Sequence, residues 1–421
     1  MKTVKFREIA DNPTASLSGE SAILLSLART PLNAEISRET CASIREDVNW
    51  SDLIIVSHNH GVLPLLYKQL HSLGSTVVPQ HILDYVKVRY CSNALANFYL
   101  AQELLQLLNL FQSNQVAAIP YKGPVLAVSA YGSLSLRQFL DLDILVDWRD
   151  YDRSKKLLLS DGFQLSADCE WESHFISSSG GYCLDLHQGL TPRIFPYSIE
   201  FSNLWQRRSK MVLCGEPVPT LSDEDSLLIL CVQVAKDTWE KRSRLAKVCD
   251  LAQFLHEHPG LNWEWLLTEA TRIGARGTLS FALTLAHDLL GIPIPAEISV
   301  RVGHDRSIAS LVAQARNEFI VQLRARASDS CRPVSISEQA RFHSQLRERF
   351  RDKLPYHLEP LRRFLERLFI PNARDHSFLS LPEALHCLYG LIRPLRLVYD
   401  YLLHPLAQAL RLSHRTNHQG E

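Results

Sequence analysis

Apolar positions recur at three- and four-residue spacing along most of the chain, which is the period of amphipathic helices. The first such stretch is ESAILLSLAR, at residues 20–29. WSDLIIVSHNHGVLPLLYKQLHSLG follows from Trp50, with Pro64 placed to bend or split it. The longest runs from about His81 to Gln115, and its stripe of Leu95, Phe98, Tyr99, Leu105 and Leu108 reads as a core face. At Val116 the period changes. VAAIPY is a short apolar run ending at Lys122-Gly123, which predicts a buried strand and a tight turn. PVLAVSAYG reads as a short helix with Pro124 in its first turn. LDLDILVD then alternates with period two. Asp141 and Asp143 share one face of that strand, and Leu142, Ile144 and Val146 share the other.

Beyond it, WRDYDRSKKLLLSDGF predicts a helix and a turn. CEWESHFISSS and YCLDLHQGL predict a hairpin about Gly180-Gly181, with Cys183, Asp185 and His187 on one face of its second strand. The segment up to Pro219 is mixed. Ser222, with Asp225 three residues on, opens a helical region that stays amphipathic to about His258. WEWLLTEATRIG and RGTLSFALTLAHDLLG are further helices, the latter stopped by Gly291 and Pro293. From about Val300 the chain is helical and Arg-rich. The first 18 residues and the final SHRTNHQGE read as loose ends. The pattern predicts an α+β chain, predominantly helical. It divides into an N-terminal helical region (1–115), a strand-bearing core (116–220), a second helical region (221–295) and a C-terminal one (296–421).

Lys plus Arg and Asp plus Glu both number 45, so there is no bulk basic field. A non-specific nucleic-acid binder would carry a basic excess, and nucleic acid is therefore not an expected partner. Nine scattered cysteines form no CxxC pair, which argues against a disulfide framework or a cysteine zinc site. The chain shows neither a signal-peptide core nor an apolar run of about 18 residues, so the expectation is a cytoplasmic protein with no membrane span.

The chemistry concentrates between Tyr121 and Asp147. Two carboxylates on one strand face, flanked by apolar residues, are costly to bury without a cation or a base. Asp141 and Asp143, completed by Asp185 from the later hairpin, form a set of hard oxygen donors suited to Mg2+ or Mn2+ and to phosphoryl transfer. Lys122-Gly123, where a strand meets a helix N-terminus, is the natural phosphate turn, in preference to Gly132-Ser133. Arg137 reads either as a triphosphate contact or as an ion-pair partner of Asp141.

Other motifs have plainer readings. His58 and His60 are two apart on a helix and point to different faces, a poor chelate. Lys236 and Trp239 share a helix face as a nucleotide contact or as a core tryptophan beside a snorkelling lysine. His187 is an outer residue of the site or an ordinary sheet histidine. The arginines at 347, 349, 351, 362, 363 and 367 read as a solvated face, and Arg393 and Arg396 as interdomain ion-pair formers.

Taken in order, Lys122, Gly123, Tyr131, Arg137, Asp141 and Asp143 with the following Ile-Leu-Val resemble the signature of the uncharacterised nucleotidyltransferase family, within the DNA-polymerase-beta-like superfamily. HGVLPLLY at 60–67, DLH at 185–187, the helix with Lys236, Trp239 and Asp250, and LPEALHCLYGLIRPLRLVYDYL are similar to its other segments, so the resemblance spans most of 50–402. Asp237 stands where the family usually has histidine. The resemblance implies a small mixed nucleotidyltransferase sheet embedded in helical extensions. It also implies transfer of a nucleoside monophosphate from an NTP, such as ATP, to a small-molecule, sugar, peptide or protein acceptor. Asp141, Asp143 and Asp185 would hold metal, Lys122-Gly123 the phosphates, and Lys236 would approach from the helical side. The other reading is a catalytically degenerate nucleotide- or partner-binding module.

Overall fold

The alternation in DLDILV does fold as a strand, and that strand organises the sheet. In the computed structural model, β1 (Ala118–Pro120), β2 (Asp141–Val146), β3 (Gln164–Asp168), β4 (Glu172–Ile176) and β5 (Cys183–His187) form one mixed sheet in the order β1-β2-β5-β4-β3. The β2–β5 pair is parallel and the others are antiparallel. β6 (Ser209–Leu213) and β7 (Glu216–Thr220) make a separate hairpin. The structure describes residues 19–29, 44, 48–169, 171–178, 181–191, 197, 199–240, 244–296, 298, 300, 305–324, 335–347, 349–370, 375, 379, 381–382, 385 and 388–398. Both expected loose ends and Gly180 of the expected hairpin turn lie outside them.

The helices are α1 (Glu20–Ala28), α2 (Trp50–Asn59), α3 (Leu63–Leu73), α4 (Gln80–Ser113), α5 (Gly123–Tyr131), α6 (Tyr151–Ser160), α7 (Phe201–Arg207), α8 (Asp223–Trp239), α9 (Leu245–Glu257), α10 (Trp263–Arg272), α11 (Arg276–Leu290), α12 (Arg306–Arg324), α13 (Ile336–Leu346), α14 (Phe350–Phe369) and α15 (Tyr389–Val398). Pro64 does split the second helical pattern, in the first turn of α3. The pattern from Ser222 to His258 divides into α8 and α9. Residues 1–353 and 354–421 form two units.

Leu142, Ile144 and Val146 of β2, with Leu184, Leu186 and Phe175, pack against Leu100, Leu104, Leu107 and Phe111 of α4. This apolar face fixes the sheet's orientation, because its side chains alternate with the carboxylates on the other face. A larger core joins α1–α3 to α8–α12.

The stripe expected on α4 is partly wrong. Leu95 is 72% exposed, Phe98 52% and Tyr99 43%. The buried face instead runs through Leu83, Val86, Asn97, Leu100, Ala101, Leu104, Leu107 and Phe111. Asn97 belongs to it because its amide nitrogen donates to the carbonyls of Leu134 (2.6 Å) and Arg137 (2.7 Å). In the C-terminal unit Arg393 and Arg396 both pair with Asp375, so these bridges lie within one unit rather than between domains. Among the described residues no helix is long and apolar enough to cross a membrane.

Candidate active site

The register of three strands assembles the polar face. Asp143 lies beside Asp185 on the parallel β2–β5 pair, and Asp141 beside Cys183. On the antiparallel β4–β5 pair, His174 lies opposite Asp185 and Glu172 opposite His187. Strand alternation therefore puts Asp141, Asp143, Asp185, His187, Glu172 and His174 on one face.

Asp143 Oδ1 receives Lys122 Nζ at 2.8 Å and lies 3.0 Å from His187 Nε2. Burial alone would push the Asp143 carboxyl up. The adjacent Lys122 ammonium and His187 outweigh it and hold the carboxyl well below the usual range. Burial would lower Lys122, and Asp143 overrides that and keeps it firmly protonated. Asp141, half-buried at the entry of β2, is pushed up by burial and then by the like charge of Asp143. Burial also raises Glu172. His174 loses by burial but is raised on balance by Asp185, whose Oδ1 lies 2.6 Å from its Nδ1.

Gly123 begins α5 with φ +54°, and a Cβ there would stand 3.3 Å from the Asp141 carbonyl oxygen. Both the backbone angle and the close approach favour glycine. The α5 N-terminus thus sits beside the carboxylates, with Lys122 at its N-cap and Pro124 in its first turn. Gly132 is the left-handed C-cap at the opposite end of the same helix, and Ser133 caps the next turn.

Arg137 pairs with Asp250 rather than with the expected Asp141. Its guanidinium binds Asp250 of α9 through Nε (3.0 and 3.1 Å) and Nη2 (3.0 Å), and the Tyr131 hydroxyl donates to the same carboxylate at 2.8 Å. Both Arg137 and Asp250 are buried, so this three-way contact ties α5 and the approach to β2 onto α9. Lys236 of α8 places Nζ 4.7 Å from the centre of the Trp171 ring, beside Glu172, while Trp239 is buried and meets His343 edge-on at 4.3 Å. Lys247 of α9 lines a small cleft with Lys122, Tyr121, Arg137 and Asp250, and its charge acts on Asp141. His60 packs in the core near Phe319, where its Nδ1 accepts from the Leu245 amide at 3.3 Å. Arg347, expected on a solvated face, is buried over the Tyr197 ring and donates to the Gly274 carbonyl. The side chains of Arg351, Arg363 and Arg367 lie outside the described residues. A cavity of about 610 Å³ between α4, β1 and the β6–β7 hairpin contains none of the polar cluster.

Asp143, Asp185 and His187 each bring a donor atom within 4.8 Å of the others. Two carboxylates and an imidazole at that spacing fit a divalent cation. Asp141 lies two residues further along the same strand face. Glu172 and His174 escaped the sequence reading because ESHFI opens with three polar residues and does not alternate in hydropathy, although its burial does.

A family model described as an uncharacterised nucleotidyltransferase matches residues 46–291. The match covers more than half of the chain and stops well before the C-terminal segment that the sequence resemblance included. Three solved structures are similar. The lincomycin-bound lincosamide antibiotic adenylyltransferase LnuA is 21% identical over 30% of this chain and 83% of its own, with a TM-score of 0.25. The antibiotic-resistance factor ANT(2'')-Ia is 12% identical over 42% and 92%, with a TM-score of 0.32. A tRNA-processing enzyme is 13% identical over 78% and 92%, with a TM-score of 0.22. No curated protein matches the chain.

Proposed function

The chain belongs to the uncharacterised nucleotidyltransferase family and is a transferase of that kind; on that premise we propose that it uses a divalent cation to move a nucleoside monophosphate from an NTP to an acceptor hydroxyl. The observation that carries this reading is the pairing of Asp143 with Asp185 across parallel strands, with Asp141 on the same face and Lys122 against Asp143. Asp141, Asp143 and Asp185, with His187 nearby, are the residues that would hold the cation. When bound, it would neutralise phosphate charge and favour ionisation of the attacking hydroxyl.

In the reaction the acceptor oxygen bonds to the α-phosphorus, the bond from that phosphorus to the bridging oxygen breaks, and pyrophosphate leaves with the electron pair. The hydroxyl proton passes to a carboxylate of the cluster, for which Asp185 is the proposed base. Lys122 and the α5 N-terminus at Gly123 bind the triphosphate, assisted by Lys236 and Lys247 from the helical side. Arg137 acts at one remove, holding the approach to β2 through Asp250. ATP is the proposed donor. Balanced charge favours a small-molecule, sugar, peptide or protein acceptor over nucleic acid.

The test is incubation of the pure chain with labelled NTPs, Mg2+ or Mn2+ and a cell extract, with mass spectrometry for an acceptor that gains a nucleoside monophosphate. Asp141→Asn should reduce product on the order of 100–1000-fold with the fold unchanged by circular dichroism. Undiminished transfer by that variant would remove Asp141 from the site. Nucleotide binding without turnover would favour the binding-module reading.

A further inference from the structure

Around the site, carboxylates and imidazoles alternate in a chain drawn from three neighbouring strands. His187 Nε2 lies 3.0 Å from Asp143 Oδ1, and its Nδ1 lies 3.3 Å from Glu172 Oε2. His174 Nε2 lies 3.4 Å from Glu172 Oε1, and its Nδ1 lies 2.6 Å from Asp185 Oδ1. One glutamate thus backs two histidines, and each histidine reaches a different aspartate. The order is built in by register, since Glu172 pairs with His187 and His174 with Asp185 along β4 and β5.

A neutral imidazole donates from one nitrogen and accepts at the other. Between two carboxylates, one nitrogen therefore turns a lone pair on an anion unless a cation stands there. In the metal-free chain His187 Nε2 is the nitrogen hydrogen-bonded to the ionised Asp143 carboxylate, at 3.0 Å, so the proton of the neutral ring stands there. A bound cation would take its place, moving the ring proton to Nδ1 on the Glu172 side. Nε2 faces the space shared with Asp143 and Asp185, where the three donor atoms lie within 4.8 Å of one another. Nδ1 is buried, in a residue 1% exposed, and is near Glu172 without the alignment of a hydrogen bond. Metal-bound histidines almost always turn the other ring nitrogen to a carboxylate or carbonyl, which sets the tautomer.

We propose that His187 is itself a metal ligand through Nε2, alongside Asp143 and Asp185, and that Glu172 is the outer carboxylate that orients it. This rests on the metal-dependent reading above and deepens it. An imidazole among the ligands suits a transition-metal dication such as Mn2+ better than Mg2+, which prefers an all-oxygen shell.

The test titrates the metal-free full chain with Mn2+ alone. Continuous-wave electron paramagnetic resonance counts the free ion, and pulsed measurement reads coupling to a directly bound nitrogen. The expected result is bound Mn2+ with nitrogen modulation that persists in His174→Gln and is lost in His187→Gln. Glu172→Gln should keep the modulation while weakening Mn2+ binding by about 10–100-fold. Because His187 is buried and its variant can misfold, the wild-type and His174→Gln spectra together decide the assignment. Bound Mn2+ without nitrogen coupling overturns the ligand assignment and leaves the metal-dependent reading standing. Loss of coupling in His174→Gln overturns it in favour of the other histidine. Unchanged affinity in Glu172→Gln overturns the role of Glu172. No Mn2+ binding at all overturns the metal-dependent reading and the assignment with it.

Discussion

Asp143 holds Lys122 and His187 on the same oxygen, and the consequences differ for the two partners. Lys122 supplies the charge that keeps a buried aspartate ionised, so replacing it strands that charge. Lys122→Met should lower metal-free stability by about 3–5 kcal/mol, measured by denaturant unfolding at neutral pH. A loss below about 1 kcal/mol would mean that the pair is effectively solvated. The Asp143 contribution has a defined pH sense. Its folded value lies below the unfolded one, so its stabilisation is complete above about pH 4 and is lost as pH falls through the folded value. The Lys122–Asp143 contact was not legible in the sequence. It depends on β1 pairing antiparallel to β2, which brings a residue just beyond one strand against the middle of the next.

At the scale of elements, β2 was legible because a half-buried strand writes its two faces as strict alternation. β4 lacks that signal, because ESHFI puts the polar Ser173 on its buried face and the apolar Ile176 on the face that holds Glu172 and His174. α4 was misread for a different reason. Apolar residues lie all round this helix, so spacing alone does not pick out the buried face. The face actually buried passes through Asn97, a polar residue that a hydrophobic stripe passes over. Its amide satisfies two carbonyls in the connection that delivers Asp141. Asn97→Ala should therefore cost about 1–3 kcal/mol, read as a lowered denaturation midpoint, because the Leu134 carbonyl loses this donor and the Arg137 carbonyl is left with Asn93. An unchanged midpoint would show that water replaces the amide without loss.

For the whole molecule, the helical cores carry a pH dependence separate from the site. Burial, reinforced by the Arg347 charge, holds the His343 imidazole well below its usual value. The unfolded chain takes up that proton below about pH 6.5 and the folded chain does not. Its contribution is complete above that pH and declines as pH falls, by up to about 1.4 kcal/mol per pH unit. His343→Leu should flatten the fall in thermal midpoint between about pH 6.5 and 5, and an unaltered slope would contradict the assignment. These cores position the site and bring Lys236 and Lys247 toward the proposed triphosphate, while the metal chemistry is claimed for one face of a five-stranded sheet. The most direct measurement of that claim is transfer from ATP labelled at the α-phosphate, with Mn2+ or Mg2+ and a cell extract, followed by mass spectrometry of the labelled product. The predicted result is an acceptor heavier by one nucleoside monophosphate, formed by the wild-type chain and reduced on the order of 100–1000-fold by Asp141→Asn. No labelled acceptor with any NTP, or equal product from the variant, would contradict it.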